Sequence, residues 1–404
     1  MQILIADKFP STGIRRLVEA GCEVASNPDL ADETLVAALG EHQPEVLIVR
    51  STKVTEEMLR TDSLALVIRA GAGVNTIDVP AASRLGIFVA NCPGKNAVAV
   101  AELTMGLLIA LDRKIPDNVI DLRAGRWDKK TYSKAAGLKG RTLGLIGLGS
   151  IGREVALRAR AFGMRVIAWS RSLTEEAAAE LGVSRAASPQ HVAESSDVVS
   201  IHLAQTAETQ GVIDRGFFQA MRPGAFFINT SRGGIVDQDA LVQAMEARGI
   251  RAGLDVYAQE PGAGDDTFEP PIGRSPNLYG THHIGASTEQ AQQAIADETV
   301  RILETYLRTG EVLNCVNLAR RTPARAVLTV RHRDRVGVLA HVLGEIRKAE
   351  INVQEMENVI FEGAEAACAH LHLDREPEAA LLESIRAGNE DIFSLSTAGV
   401  KQDT

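Results

Sequence analysis

A glycine-rich turn between an apolar run and a helical segment is the feature that most constrains the fold of this chain. Residues Leu143–Ile146 have the character of a buried strand, and they lead directly into Gly147-x-Gly149-x-x-Gly152 and an amphipathic helix. The first glycine permits a tight turn, the second lets backbone approach a phosphate, and the third lets the helix pack on the strand. A helix N-terminus also offers free N–H groups and positive charge to an anion. This order predicts a dinucleotide pyrophosphate site, with a purely structural turn as the alternative.

The composition argues against several classes of function. A chain of 404 residues is too long for one ordinary domain, so two or three are expected. The net charge of −9 argues against nucleic acid or a membrane surface as a partner. No run of about eighteen apolar residues is present to span a membrane. Four scattered cysteines indicate a reducing compartment and no metal site. Because the N-terminal residues also lack the pattern of a signal peptide, we expect a cytoplasmic protein.

Two series of alternating strands and helices predict two doubly wound parallel sheets. The strands of the first series are predicted at Ile3–Ala6, Val46–Val49, Leu66–Arg69 and Ile87–Ala90, and its helices at Ser11–Ala20, Asp32–Leu39 and Val79–Leu85. After the glycine turn, strands are predicted at Arg165–Trp169, Asp197–His202, Ala225–Asn229 and Ile250–Asp255, and a helix at Asp237–Ala247. Two long helices are predicted at Ala97–Asp112 and Ser287–Thr309. The first is so apolar that we expect it to lie buried between domains or subunits.

The C-terminal part has a different pattern. The basic, proline-interrupted stretch 319–325 indicates a linker. Beyond it, the order β-α-β-β-α-β predicts a ferredoxin-like domain over 326–404. Its elements are predicted at Ala326–Arg331, Val336–Ala349, Ile351–Phe361, Ala366–Leu373, Glu378–Ala387 and Ile392–Ser396.

Several stretches of the chain resemble the D-2-hydroxyacid dehydrogenases. They are Val49–Thr55, Arg69–Val74, Ala101–Thr104, Ser231–Asp237, Leu254–Pro261 and His283–Thr288, together with the glycine turn. The resemblance implies that a dinucleotide-binding domain, 97–287, is inserted into a flavodoxin-like substrate domain made of 1–96 and 288–318. It also implies hydride transfer between NAD(P) and a small 2-hydroxy acid, in this case a phosphorylated one, by a homodimer or homotetramer.

The resemblance implies a catalytic set of Arg232, Glu260 and His283. Histidine titrates near neutrality and can accept the hydroxyl proton, while a carboxylate beside it fixes its tautomer. Arginine offers a rigid fork to the substrate carboxylate. Two histidines are adjacent, and the family spacing favours His283 over His282 as the base.

Further contacts are implied by the same resemblance. Cofactor contacts are expected from Gly147, Gly149, Ser150, Ile151, Gly152, Ser170, Arg171, Thr230, Ser231, Arg232, Asp255, His283 and Gly285. Substrate contacts are expected from Arg50, Arg69, Ala72 and Gly73, and from Lys129 of a neighbouring subunit.

The chain departs from the family at the expected ribose position. Ser170 stands where an acidic residue commonly binds the 2′-hydroxyl of NAD, and Arg171 follows it. No carboxylate there repels a 2′-phosphate, so we expect NAD or NADP to be used. A reductase of glyoxylate or hydroxypyruvate, which are unphosphorylated substrates, is therefore an alternative function. A nicotinamide-sensing corepressor is a second alternative.

The C-terminal domain resembles ACT domains, which are small modules that bind amino acids in biosynthetic enzymes. The resemblance rests on His332–Leu339 and Ala349–Val353. It implies an amino-acid effector held by His332, Asp334 and Asn352, with a dimerisation module that binds no ligand as the alternative.

Overall fold

The computed structural model describes residues 1–261, 267–268, 270–319 and 322–400. They fall into two compact units, Met1–Asn317 and Leu318–Thr404. The predicted linker 319–325 and the C-terminal domain 326–404 each extend into positions outside the described residues, at 320–321 and 401–404 respectively. No described helix is long and apolar enough to cross a membrane. Within these residues there is also no group of three or more His, Cys, Asp or Glu that could hold a metal ion.

The first sheet is parallel and has five strands in the order β2-β1-β3-β4-β5. This is the order of flavodoxin-like sheets. The inner strands are buried along almost their whole length, which is why they consist of continuous apolar runs. The elements are β1 Gln2–Ile5, α1 Ser11–Glu19, β2 Glu23–Ser26, α2 Asp32–His42, β3 Val46–Val49, α3 Glu56–Leu59, β4 Leu66–Arg69, α4 Val79–Arg84 and β5 Phe88–Asn91.

The second sheet is also parallel and has seven strands in the order β12-β11-β10-β9-β6-β7-β8. Its strand order reverses between β6 and β9, the point where Rossmann folds bind dinucleotides. The elements are α5 Ala97–Arg113, α6 Ile115–Arg123, α7 Lys129–Tyr132, β6 Thr142–Ile146, α8 Ser150–Ala161, β7 Arg165–Trp169, α9 Glu175–Glu180, β8 Ser184–Arg185, α10 Pro189–Ser195, β9 Val198–Ile201, α11 Arg215–Ala220, β10 Phe226–Asn229, α12 Gln238–Arg248, β11 Arg251–Leu254 and β12 Leu278–Gly280. Helix α5 owes its apolar character mainly to packing against α8, β10 and β11.

The chain then returns to the first sheet. Helix α13, Glu289–Thr309, places Ile295 and Leu303 in one core cluster with Ile3 and Ile48. After α13, Cys315 forms a β-bridge with Ala90 of β5. The second sheet is thus inserted between two parts of the chain that build the first, as the resemblance to the family implies.

The C-terminal unit is a four-stranded antiparallel sheet in the order β14-β15-β13-β16. Strand β15 alternates buried and half-buried residues, because two helices cover one face of the sheet. The elements are β13 Ala326–Arg333, α14 Val338–Lys348, β14 Val353–Ile360, β15 Ala366–Leu373, α15 Ala379–Ala387 and β16 Ile392–Gly399. The predicted β-α-β-β-α-β fold is confirmed.

Candidate active site

Three polar residues expected to carry the chemistry follow neighbouring strands. Arg232 follows β10, Glu260 follows β11 and His283 follows β12. Since these strands are parallel neighbours, their carboxyl ends share one edge of the second sheet. The Nδ1 atom of His283 lies 2.7 Å from Oε2 of Glu260, and the charge of Arg232 acts on the same carboxylate. The structure brings the three side chains together.

The hydrogen bonds of Glu260 determine which nitrogen of His283 faces a substrate. Oε1 of Glu260 accepts the N–H of Tyr257 at 3.0 Å. Burial acts to raise the pKa of Glu260, but the hydrogen bonds with His283 and Tyr257 outweigh it, and the pKa is lowered overall. Because an ionised carboxylate only accepts, Nδ1 of His283 is the donor. Nε2 is then the ring nitrogen that can take up a proton.

The glycine turn has the shape that a pyrophosphate requires. Gly147 adopts a φ of 96°, and a Cβ there would collide with the carbonyl oxygen of His202. A Cβ on Gly152 would collide with the carbonyl oxygen of Gly147, so only glycine lets helix and strand pack this closely. A Cβ on Gly149, in contrast, would have no described atom of another part of the chain within 4 Å. Open space therefore lies over the start of α8, and its first residues are Ser150 and Ile151.

The residues before Arg232 form a buried turn. Oγ1 of Thr230 lies 2.9 Å from the hydroxyl oxygen of Thr104. Ser231 donates its N–H and its hydroxyl to Oδ1 of Asn229 at 3.0 and 2.7 Å. The side-chain amide of Asn229 in turn donates to the carbonyl oxygen of Arg232 at 2.9 Å. These bonds hold Arg232 in place, and the cofactor contacts expected of Thr230 and Ser231 stay predictions.

Arg50 and Arg232 each lie close enough to Arg69 to repel its charge. Burial, followed by the charges of Arg232 and Arg50, lowers the pKa of Arg69 to about 10. Burial also lowers the pKa of Arg50 and of Arg232, against the raising effects of Asp7 and Glu260. Nε of Arg69 is buried and has no hydrogen-bond partner among the described residues. Such a cluster favours the binding of an anion.

Backbone of the first sheet lies beside the same arginines. The guanidinium of Arg232 lies against Gly73, where a Cβ would collide with Nη2. The carbonyl oxygen of Ala72 accepts a hydrogen bond from the side chain of Asn91 at 2.5 Å. Lys129, in contrast, begins α7 and lines a separate cavity of about 270 Å³ beside the exposed Trp127.

The ribose position next to the glycine turn carries no acid. The N–H of Gly147 donates to the carbonyl oxygen of Trp169, the last residue of β7, at 2.8 Å. Ser170 and Arg171 follow, and none of the five residues after β7 is acidic. The hydroxyl of Thr206 and, more weakly, the charge of Arg171 lower the pKa of Glu208. Because Ser170 and Arg171 stand where an acid would repel a 2′-phosphate, the residues that follow β7 suit a 2′-phosphate as well as a 2′-hydroxyl.

Comparison with known proteins decides the family. Residues 105–285 match the model of the D-isomer specific 2-hydroxyacid dehydrogenase, NAD binding domain. A D-3-phosphoglycerate dehydrogenase of Archaeoglobus fulgidus is 35% identical over 361 residues, which cover 87% of this chain and 67% of that protein. The chain belongs to the D-isomer specific 2-hydroxyacid dehydrogenases. This 2-hydroxyacid dehydrogenase therefore carries an NAD(P)-binding domain.

Other proteins that resemble this 2-hydroxyacid dehydrogenase include one with the same name as the Archaeoglobus relative and two with different names. A D-3-phosphoglycerate dehydrogenase of Methanocaldococcus jannaschii is 37% identical over 321 residues and covers 79% of this chain, which spans only 60% of that relative's length. A glyoxylate reductase from Paecilomyes thermophila has a TM-score of 0.70 at 29% identity, covering 78% of this chain and 98% of its own. An acyclic imino acid reductase in complex with NADPH and D-Arg has a TM-score of 0.69 at 28% identity, and the match covers 78% of this chain and 100% of that reductase.

Sequence reasoning missed two residues at strand ends of this 2-hydroxyacid dehydrogenase. Asp7 follows β1, and its Oδ2 accepts the N–H groups of residues 50–52 at 2.6, 3.1 and 3.1 Å. It therefore holds the loop that carries Arg50. His202 follows β9, where burial lowers its pKa to about 3 and Nε2 lies 2.9 Å from the hydroxyl oxygen of Ser200. Their position at the carboxyl ends of parallel strands is the signal that would have found both.

The residues expected to bind an effector differ in their availability within the C-terminal unit. His332 is buried, with Nδ1 2.7 Å from the carbonyl oxygen of Arg333 and Nε2 3.3 Å from Oδ1 of Asn358. Asp334 and Asn352 are exposed. Both ring nitrogens of His332 are thus engaged within the fold, whereas the other two side chains are accessible.

Proposed function

We propose that this chain oxidises D-3-phosphoglycerate to 3-phosphohydroxypyruvate with NAD(P), the first step of L-serine biosynthesis. The observation that carries the proposal is the cluster of Arg50, Arg69 and Arg232, in which burial and mutual repulsion lower the pKa of Arg69 to about 10. A substrate with a carboxylate and a phosphate brings enough negative charge for three guanidinium groups. The two relatives that are named D-3-phosphoglycerate dehydrogenase support the same substrate.

The chain's own residues would orient the substrate and move one proton. Arg232 and the backbone at Gly73 hold the carboxylate, while the other two arginines hold the phosphate. Nε2 of His283 takes the proton of the C2 hydroxyl, and Glu260 stabilises the imidazolium that results. A dinucleotide held by the glycine turn through its pyrophosphate would supply the hydride acceptor for C2.

The test is a dehydrogenase assay over a panel of D-2-hydroxy acids with each cofactor, with and without L-serine. We expect the highest kcat/KM with D-3-phosphoglycerate. Arg69→Gln should lower kcat/KM for this substrate more than for an unphosphorylated hydroxy acid. Arg84→Gln, which changes an exposed arginine paired with Glu56, is the matched control. It should leave kcat/KM unchanged for both the phosphorylated and the unphosphorylated substrate. Absence of turnover with every substrate would reject the proposal in favour of a nicotinamide-sensing binding protein.

A second candidate is a reductase of unphosphorylated glyoxylate or hydroxypyruvate. The observation that favours it is the pair Ser170 and Arg171 at the ribose position, together with the likeness to a glyoxylate reductase. It needs no phosphate site, so in this case Arg69→Gln would affect both kinds of substrate equally.

The same ribose position leads us to propose that the protein uses NADP as well as NAD. A likeness to a reductase in complex with NADPH supports this. Ser170→Asp should lower kcat/KM with NADP by about tenfold or more, because a carboxylate would repel the 2′-phosphate, and should raise the preference for NAD. Steady-state kinetics with both cofactors measures this. A wild-type enzyme that already rejects NADP would contradict the proposal.

The domain assignments remain part of the proposal. Residues 1–96 with 288–318 would bind substrate and 97–287 the dinucleotide, while 326–404 would bind an amino acid through Asp334 and Asn352. We further propose a homodimer or homotetramer in which Lys129 reaches a neighbouring subunit's substrate, supported by its exposed position beside Trp127. Four free cysteines among the described residues support a cytoplasmic location.

A further inference from the structure

The segment that carries His283 is wrapped around one buried carboxylate. Asp255, which follows β11, is only 1% exposed. Its Oδ1 accepts the hydroxyl of Thr281 at 2.6 Å and the N–H of Ile284 at 2.8 Å, and its Oδ2 accepts the N–H of Gly285 at 2.9 Å. Its main-chain carbonyl oxygen accepts the N–H of His283 at 2.8 Å. Three hydrogen bonds to the carboxylate and one to the backbone therefore fix residues 281–285.

The backbone of this segment takes a conformation that needs such support. His283 has a φ of 52°, in the left-handed region that non-glycine residues seldom adopt and that costs of order 1–3 kcal/mol. It brings two consecutive N–H groups, of Ile284 and Gly285, toward the same carboxylate, which is the arrangement of a backbone nest around an anion. A Cβ on Gly285 would lie 2.9 Å from Oδ2 of Asp255, so glycine permits the close approach. The negative charge inside the nest opposes the strain at His283.

The hydrogen-bond capacity of Asp255 is mostly used by this segment. An ionised carboxylate has about four acceptor sites, and the segment occupies three of them. The resemblance to the family implies instead that Asp255 serves as a ligand of the nicotinamide amide. At most about one acceptor site is left for that contact.

We infer that Asp255 is a positioning residue whose charge holds His283 in its catalytic orientation. The inference rests on the proposed function, in which His283 is the base. Asp255→Asn keeps the size of the side chain but replaces one acceptor oxygen with an N–H₂ donor that faces backbone N–H groups. The nest then loses its anion, the left-handed turn relaxes, and His283 leaves its bond to Glu260.

The first test follows the segment itself in the protein without cofactor. Hydrogen exchange of the amides in 281–286 is measured by mass spectrometry for the wild type, Asp255→Asn and Thr281→Val. We expect exchange to be fastest in Asp255→Asn and intermediate in Thr281→Val, which removes only one donor. Asp112→Asn is the matched control, because Asp112 is a buried carboxylate that accepts the N–H of Gly137 at 3.2 Å. It should leave exchange in 281–286 unchanged.

The second test separates positioning from cofactor binding. In Asp255→Asn, kcat at saturating cofactor should fall about 10²-fold, the loss expected for a displaced catalytic group. The Kd of the reduced cofactor, measured by fluorescence, should change by less than threefold, because residues 281–285 already occupy most of the acceptor sites of Asp255. Thr281→Val should show the same split to a smaller extent, and it provides the measurement if Asp255→Asn does not fold.

Two results would overturn the inference. One is unchanged exchange of 281–286 in both variants. The other is a Kd for the cofactor that rises tenfold or more while kcat at saturation is retained, because that result assigns Asp255 to cofactor binding. A wild-type protein that turns over no 2-hydroxy acid would reject the proposed function, while the exchange measurement would still decide whether Asp255 holds the segment.

Discussion

At the scale of single residues, the two ring nitrogens of His283 have different surroundings. Nδ1 lies 2.7 Å from Glu260, and the ring is 47% exposed, so the second nitrogen remains open to the cleft. The lowered pKa of Glu260 keeps that carboxylate ionised, which holds the proton of the neutral ring on Nδ1. The proposed role of His283 as the base therefore depends on one tautomer of its ring.

This dependence predicts the effect of replacing either of the adjacent histidines. His283→Gln should lower kcat by about 10²–10⁴-fold, since glutamine cannot act as a general base, and should leave the Kd of the cofactor nearly unchanged. His282→Gln is the control, because no hydrogen bond joins His282 to Glu260 among the described residues. Steady-state kinetics and fluorescence titration measure the two effects. Retained turnover in His283→Gln would reject His283 as the base.

At the scale of elements, the sequence predicted the strands that are buried on both faces and missed three of the strands at sheet edges. Strands β3 and β4 were found because they are continuous apolar runs. Among the described strands, the three that escaped prediction are β2, β8 and β12, and each of them is the edge strand of its sheet. β8 is exposed along its length and β2 has no buried residue, so neither shows an apolar pattern. Their place is decided by neighbouring strands and not by local sequence.

The packing of α8 on β6 predicts a contrast between two glycines. Gly152→Ala should lower the free energy of unfolding by roughly 1–3 kcal/mol and weaken cofactor binding, because the new Cβ collides with the carbonyl oxygen of Gly147. Gly40→Ala is the matched control in α2, where no described atom lies within 4 Å of the new Cβ. It should raise stability by about 0.4–1 kcal/mol. Thermal unfolding and cofactor titration measure both variants. Equal stability of the two variants would contradict this account of the turn.

At the scale of the whole molecule, the pattern of the sequence predicts where the motifs lie along the chain. It does not predict the hydrogen bonds between segments that are distant in the sequence. The spacing of apolar residues predicted α13, and only the resemblance to a family implied its return to the first sheet. Neither indicated that Asp255 would hold the segment of His283, since a left-handed residue and a nest form only in the folded chain. Long-range polar contacts of this kind leave no periodic signal in the sequence.

A buried carboxylate also links the two ends of the inserted topology. Glu298 of α13 is only 5% exposed; it accepts a hydrogen bond from Asn314 at 2.7 Å and lies 3.3 Å from Nζ of Lys95. Lys95 lies between β5 and α5, where the chain leaves the first sheet, and Asn314 lies after α13, where it has returned. The hydrogen bond from Arg301, opposed by burial and aided by these two partners, lowers the pKa of Glu298 to about 2. The ionised form is thus bound more strongly by the folded protein than by the unfolded chain.

The acid sensitivity of the first unit follows from this shift. Because the folded pKa lies below the unfolded value of 4.5, the stabilisation is present above pH 4.5 and is lost as the pH falls toward 2. At pH 7, Glu298→Gln should lower the free energy of unfolding by on the order of 2–3 kcal/mol. Urea unfolding followed by tryptophan fluorescence reports on this unit alone, since Trp127 and Trp169 both belong to it. The difference in the free energy of unfolding between wild type and variant should shrink between pH 4.5 and the acid limit of folding.

Glu304→Gln is the control, because Glu304 is exposed on the same helix and paired with Arg16. It should lower the free energy of unfolding by less than about 0.5 kcal/mol. A difference for Glu298→Gln that stays constant from pH 7 to pH 3 would show that packing, and not charge, is what this carboxylate contributes.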